Sequence, residues 1–310
     1  MKTVFMGTPE FAVPCLRYLA ESSHEVAAVF TQPDKPKGRG YKLIPTPVKT
    51  AALEYDIPVY QPLSLRKGED AEEALRTLRE TAPDLIVVTA YGQILPKEIL
   101  ELPKYKCINI HASLLPKYRG AAPINHCLLS GEEETGVTSM LMGEGLDTGD
   151  MLVKKAVKIG ENENYEELYA RLSELGAEVL GETLTQIENG TLAPEKQDDA
   201  LSCYSPMIRK EMSALDFSKP AREIHNTIRG VTGFTMLGGK RLKIYKSVIL
   251  PDRTAPDAEN GEIIGTDDFS VKCGDGKLIA FTDIQLEGSR RMETQAFLRG
   301  RKLTKGDILG

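Results

Sequence analysis

An open, mostly parallel α/β sheet followed by a small β-barrel is the architecture that this 310-residue chain predicts. Two observations carry it. Up to about residue 189, short apolar runs alternate with helical periods, the pattern of strands covered by helices on both faces. After residue 205, short β-like runs follow at close intervals with turn signals between them, as in a small barrel. The length suits two domains. They are placed at 1–189 and 206–310, joined by a linker at 190–205 rich in Pro, Gln and Asp.

Thr3–Met6 and Glu25–Phe30 read as strands. The helix between them opens at Thr8-Pro9, with Thr8 as N-cap and Pro9 in the first turn. Ile57–Tyr60 is a short strand, Ala71–Glu80 a charged helix and Asp84–Thr89 a strongly apolar strand. Cys107–His111, Gly136–Met142 and Met151–Ile159 are further strands, and Tyr165–Glu188 is a long amphipathic helix. Past the linker, Pro220–Arg229 is a helix with Ala221, Ile224 and Ile228 at helical spacing. The barrel strands are Phe234–Leu237, Arg241–Ile249, Gly261–Gly265, Phe269–Cys273, Leu278–Phe281 and Asp283–Leu286. Gly238-Gly239 and Gly274-Asp275-Gly276 supply turns between them.

Hydrophobic residues make up 41% and charged residues 27%, which excludes a disordered or fibrous chain. The 39 basic and 45 acidic residues give −6, so a protein basic over its whole surface is excluded. The charge is uneven: residues 206–310 hold 18 basic and 14 acidic residues (+4), against −10 for residues 1–205. A polyanionic partner fits the basic half. The five cysteines stand singly, without a CxxC pair, as reduced core thiols do. No 18-residue apolar stretch occurs and the opening apolar run is too short for a signal peptide, so the cytoplasm is the expected location, with no membrane partner. No combination of histidines has metal-ligand spacing, so no metal is expected. Nothing demands more than a monomer.

The most informative stretch is Cys107 to Gly120. Asn109 and His111 are two apart on a strand, so both project from one face at its carboxyl end. An amide and an imidazole placed together can donate hydrogen bonds to a carbonyl oxygen becoming an alkoxide. A strand-end Asn and His satisfied by backbone groups is the equally weighted alternative. A second cluster, Gly143-Glu144-Gly145-Leu146-Asp147-Thr148-Gly149-Asp150, also follows an apolar strand. It fits a plain hairpin connection, yet Asp147 could also orient His111 or handle a proton through water. Gly7-Thr8-Pro9-Glu10-Phe11 lacks the glycines and the Lys of a nucleotide loop. Residues 35–49 hold five cations (Lys35, Lys37, Arg39, Lys42, Lys49), three prolines and no acid. Such a segment cannot bury a core and reads as a solvated loop or, beside the site, as a phosphate-contacting one.

Asn109-Ile110-His111-Ala112-Ser113-Leu114-Leu115-Pro116, with Arg119-Gly120 and Gly145-Leu146-Asp147-Thr148-Gly149-Asp150, resembles the signature of the 10-formyltetrahydrofolate-dependent formyltransferase family. Phe5 to Phe11, Phe30 to Asp34 and Ala90 to Pro96 are similar too. The resemblance is dense to about residue 200. It implies a Rossmann-like catalytic domain, an OB-like C-terminal domain, and 10-formyltetrahydrofolate as formyl donor. The basic loop points to the branch whose acceptor is the amino group of methionine on initiator tRNA; a sugar-amine acceptor is the nearest rival. By motif, Asn109 and His111 would stabilise the oxyanion, with Asp147 holding His111. Ser113, Leu114, Leu115 and Pro116, with Tyr91, Gly92, Ile94 and Leu95, would bind folate. For Ser113–Pro116 the residues alone favour a simple strand exit. Lys35, Lys37, Arg39, Lys42 and Lys49 would contact tRNA. Lys240, Arg241, Lys243, Lys246, Arg290, Arg291, Arg299, Arg301 and Lys302 fit the family's tRNA-binding C-terminal domain. Gly230 to Thr235 departs from the proline-rich aromatic segment of many members.

Overall fold

Val4, Phe5 and Met6, and all five residues of Leu85–Thr89, are buried, so these two apolar runs form the middle of a sheet and not an edge. The computed structural model of the chain describes residues 1–37 and 42–310, with backbone alone at Lys37 and Lys42. Seven strands build the sheet: β1 (Lys2–Gly7), β2 (Glu25–Phe30), β3 (Val59–Tyr60), β4 (Leu85–Thr89), β5 (Cys107–His111), β6 (Glu134–Leu141) and β7 (Met151–Lys158). Their order is β7-β6-β5-β4-β1-β2-β3. The pairs from β3 across to β5 are parallel, and β6 runs antiparallel to β5. The direction of winding reverses between β1 and β4, and the carboxyl ends around that point are where open α/β sheets bind ligands.

The helices are α1 (Val13–Glu21), α2 (Pro47–Glu54), α3 (Glu69–Thr81), α4 (Lys97–Leu100), α5 (Pro123–Leu129), α6 (Tyr165–Asn189), α7 (Ala221–Val231) and α8 (Thr294–Gly300). One sheet face, with Val4, Met6, Ile86, Val88 and Cys107, packs on Leu78 of α3 and Ile99 of α4. The other face meets α6, where Gly176 lies so close to Ile110 that an added Cβ would be 3.3 Å from its methyl.

Thr8 does not cap a helix. Its hydroxyl donates to the Tyr91 carbonyl at 2.8 Å, and Glu10–Ala12 forms a 3₁₀ turn before α1 begins at Val13. The same capping rule succeeds one segment later: Thr46 accepts the amide of Lys49 at 3.1 Å and Pro47 opens α2, which the loop reading of residues 35–49 did not foresee.

The chain divides into two compact units, the first of Met1–Gly120, Thr135–Val157 and Tyr169–Tyr204, the second of Ala121–Glu134, Lys158–Leu168 and Ser205–Gly310. These divisions differ from boundaries at 189 and 206. Most of the expected linker runs along the first unit, where Glu195 and Met151 exchange two 2.8 Å backbone hydrogen bonds. In the second unit, β8 (Gly233–Leu237), β9 (Lys240–Thr254), β10 (Ile263–Gly265), β11 (Ser270–Lys272) and β12 (Lys277–Leu286) form an antiparallel sheet in the order β8-β9-β12-β11-β10, and β13 (Met292–Glu293) pairs with β12. The runs Leu278–Phe281 and Asp283–Leu286 are one strand. Ile224 and Ile228 of α7 join Leu242, Ile244, Phe269, Phe281 and Ile284 in its core.

Candidate active site

Strand alternation puts Cys107, Asn109 and His111 on one face of β5, and Cys107 at the buried end fixes which face it is. Asn109 pairs in register with Val88 and Met140, so it stands where the parallel and antiparallel parts of the sheet meet. His111 is 6% exposed. Its Nε2 lies 2.9 Å from the Tyr118 carbonyl oxygen, which can only accept, so Nε2 carries a proton. The Nδ1 atom then faces Asp147, 3.7 Å from Oδ2. The Asp147 carboxylate also accepts the Gly120 amide at 2.8 Å and Asn109 Nδ2 at 3.4 Å. An amide and an imidazole from β5 and a carboxylate from the loop after β6 thus meet at the carboxyl ends of the strands.

The backbone around them is unusual. Ala90, Tyr118 and Asp147 all lie at positive φ (47°, 60° and 52°), a conformation that non-glycine residues seldom adopt. The loop bearing Asp147 is closed by a tight approach, since a Cβ on Gly149 would sit 1.7 Å from the Leu141 carbonyl oxygen. Only glycine fits there without moving the hairpin. Thr138 of β6 ties down the exit from β5: its hydroxyl donates to the Ser113 carbonyl at 2.7 Å and accepts the Leu115 amide at 3.2 Å.

The expected folate residues fall into two groups. Tyr91 and Leu95 are core side chains, 2% and 4% exposed among Val4, Met6 and Phe30, and burial pushes the Tyr91 phenol above its ordinary range. Ser113 is fully buried with its hydroxyl donated to Lys117, and Leu115 packs on Met140 and Met151. These four side chains shape the loops from behind. Gly92 and Ile94 are exposed, Ile94 by 66%, and Leu114 and Pro116 are half-buried. Leu146, 58% exposed beside Asp147, adds a second apolar tip. Burial pushes the Cys107 thiol up to about 12, so it offers no nucleophile beside Asn109.

Of the expected tRNA-contacting cations, Arg39 lies outside the described residues. Lys37 and Lys42 pair through their backbones, where 35–37 runs antiparallel to 42–44, and Lys35 is exposed. Lys49 is not a free cation: its ammonium lies 2.7 Å from both Asp34 and Gln61, and Lys49, with the Gln61 amide, holds the Asp34 carboxyl below the usual range. Asp34 stands one residue before the acid-free run 35–49. In the second unit, Lys246 pairs with Glu167, and Arg291 pairs with Asp283 and Glu166 while lying over the Tyr245 ring. Arg241 lies over Phe234. The available positive charge is smaller than composition suggested. Among the described residues, no group of three or more His, Cys, Asp or Glu side chains could hold a metal ion, and no helix is long and apolar enough to cross a membrane.

Asn109, His111 and Asp147 thus face one another at the carboxyl ends of the sheet strands. Two family models match: formyl transferase over residues 1–184, and the formyl transferase C-terminal domain over residues 207–302. The chain belongs to the formyl transferase family. Its full-length relatives include the methionyl-tRNA formyltransferases of Geobacter sulfurreducens, 51% identical over all of this chain and 97% of that one, and of Caldanaerobacter subterraneus, 48% identical over the whole of both. Among solved structures, the N-formyltransferase of Helicobacter canadensis with folinic acid and dTDP-3-aminofucose covers 91% of this chain and 98% of its own at TM-score 0.68 and 24% identity. A sugar 3N-formyl transferase solved in the presence of dTDP and 5-N-formyl-THF covers 94% and 99% at the same score and 22% identity. These two establish the shared fold.

Proposed function

We propose that the chain transfers the formyl group of 10-formyltetrahydrofolate to the amino group of methionine esterified to initiator tRNA, giving N-formylmethionyl-tRNA for translation initiation. The observation that carries this reading is the convergence of Asn109, His111 and Asp147, in a chain that matches methionyl-tRNA formyltransferases over its whole length. The folate co-substrate supplies an electrophilic formyl carbon. The exposed Ile94 and Leu146 offer apolar surface suited to its pterin, while Gly92, Leu114 and Pro116 line the approach. Asn109 donates its amide hydrogens to the formyl oxygen as charge develops there. His111 presents Nδ1, because Nε2 is committed to Tyr118. Asp147 faces that nitrogen, its Oδ2 at 3.7 Å, and fixes the orientation of the ring. Asp147 also takes the amine proton through water and returns it to N10 as the N10–formyl bond breaks, so that tetrahydrofolate leaves as a neutral amine.

Lys35, Lys37, Arg39 and Lys42 engage the tRNA acceptor end through phosphate contacts, with Lys49 anchoring the root of the loop. The second unit, read as OB-like, adds sequence-independent attraction to the stem. The test is incubation with 10-formyltetrahydrofolate and charged or uncharged initiator tRNA. Formyl transfer to the charged species alone is expected. Transfer to a nucleotide-linked amino sugar instead, or tRNA binding without turnover, would overturn the reading.

A further inference from the structure

From Ala193 to Ala200 every residue is exposed except Gln197. Its side-chain amide is turned inward and fully used. Nε2 donates to the carbonyl oxygens of Asp147 at 2.8 Å and Gly149 at 2.7 Å, while Oε1 accepts from Arg119 Nε at 2.9 Å. Two carbonyls on one side and a guanidinium N–H on the other admit only this orientation of the amide.

The three bonds close a ring. Arg119 precedes Gly120, whose amide binds the Asp147 carboxylate, and Gln197 holds both the Asp147 backbone and Arg119. Arg119 is itself sequestered, its side chain 12% exposed, and reaches Asp199 at 2.8 Å. Asp147 needs such a restraint. At φ 52° its backbone sits in the left-handed region, which aspartate adopts more readily than most residues but still at a cost that the surrounding bonds offset. Left free, the residue would relax and its carboxylate would leave His111 and Asn109.

We propose that Gln197 is a positioning residue for formyl transfer: it clamps the Asp147 loop in its left-handed conformation and so aims the carboxylate at His111. The inference rests on the formyl-transfer reading, and it assigns a role within the site to a segment that the sequence marks as a linker. A displacement of the carboxylate by about 1 Å is enough to lower a rate by about 10²-fold, whereas acceptor binding does not depend on it.

The experiment compares wild type with Gln197→Ala and Gln197→Glu. The first removes the clamp. The second keeps its shape and the acceptor for Arg119, but sets a carboxylate against two carbonyls. Both variants should lose about 10- to 100-fold in kcat with KM for charged initiator tRNA within about 2-fold. Amide hydrogen exchange over residues 143–150 should quicken in both. Lowering the pH should restore Gln197→Glu in part relative to wild type, since a protonated carboxyl can again donate. Wild-type kcat and unchanged exchange in Gln197→Ala would overturn the proposal while leaving the formyl-transfer reading standing. If wild type itself formylates no tRNA, that reading falls, and equal exchange rates in wild type and variants then overturn the clamp as well. Should Gln197→Ala unfold, the isosteric Gln197→Glu decides by the same measurements.

Discussion

Asn109, His111 and Asp147 have different consequences when changed, because each has a different partner. Replacing Asn109 by Ala removes a neutral donor, and replacing His111 by Ala removes the ring held at Tyr118. Each should lower kcat by about 10²–10³-fold if it donates to the developing oxyanion. Asp147→Asn keeps an oxygen for the Gly120 amide, so the loop survives while the charge beside His111 is lost. Turnover should fall by a similar factor with thermal stability nearly unchanged, and near-normal turnover in all three variants would remove the mechanism. The shared face of Asn109 and His111 was legible because alternation fixes it, whereas the loop of Asp147 reads equally as a plain hairpin connection until the family signature is set beside it. Tyr118 and Gln197 were not legible. Both act on backbone carbonyls or through their own, from 7 to 50 residues away, and such bonds leave no pattern in the chain.

Two elements carry predictions of their own. The basic segment is anchored at its root by Lys49, Asp34 and Gln61, so its remaining cations divide from the anchor in what they do. Arg39→Ala with Lys42→Ala should weaken use of charged tRNA and flatten its salt dependence, with folate affinity intact. A loss of folate affinity instead would refute that division. Helix α7 makes a separate prediction. Its His225 donates from Nε2 to the Glu161 carbonyl at 3.0 Å and accepts the Ser247 hydroxyl at Nδ1 at 2.9 Å. Burial, aided by the nearby Arg229 and Arg222, lowers its pKa from 6.5 to about 4. The folded state therefore holds His225 neutral where the unfolded chain is protonated. Stability falls as pH drops from about 6.5 towards 4, because the unfolded state binds the extra proton, and below about 4 the penalty stops growing. At 1.36 kcal/mol per unit the full effect is about 3 kcal/mol. Urea midpoints between pH 7 and 4.5 should fall more steeply in wild type than in His225→Gln; parallel slopes would contradict the assignment. Helical spacing made α7 legible, whereas its histidine's partners lie in a distant segment.

Composition shows where the chain changes character near residue 200, but it cannot show that earlier segments return to build the second unit. That return depends on tertiary pairing. Asn125 of α5 donates to the Gly230 carbonyl at 2.7 Å, Arg229 reaches the Gly160 carbonyl at 3.2 Å, and His225 holds Glu161. Segments 121–134 and 158–168 thus supply the second unit with partners for α7 that a cut at residue 206 takes away. Ile124, Cys127 and Leu128 of α5 are buried, and a helix of seven residues depends for its stability on packing and not on its own propensity. A division by composition alone predicts that fragment 1–205, which keeps Asn109, His111 and Asp147, folds and binds folate as the full chain does. The shared construction of the second unit predicts otherwise. Fragments 1–205 and 206–310 made separately should each melt at lower temperature and less cooperatively than the intact chain, by circular dichroism, and co-expression should restore both. A fragment 206–310 that melts as sharply and as high as the whole protein would mean that the returning segments are passengers on that unit, and the interleaving would then carry no stability.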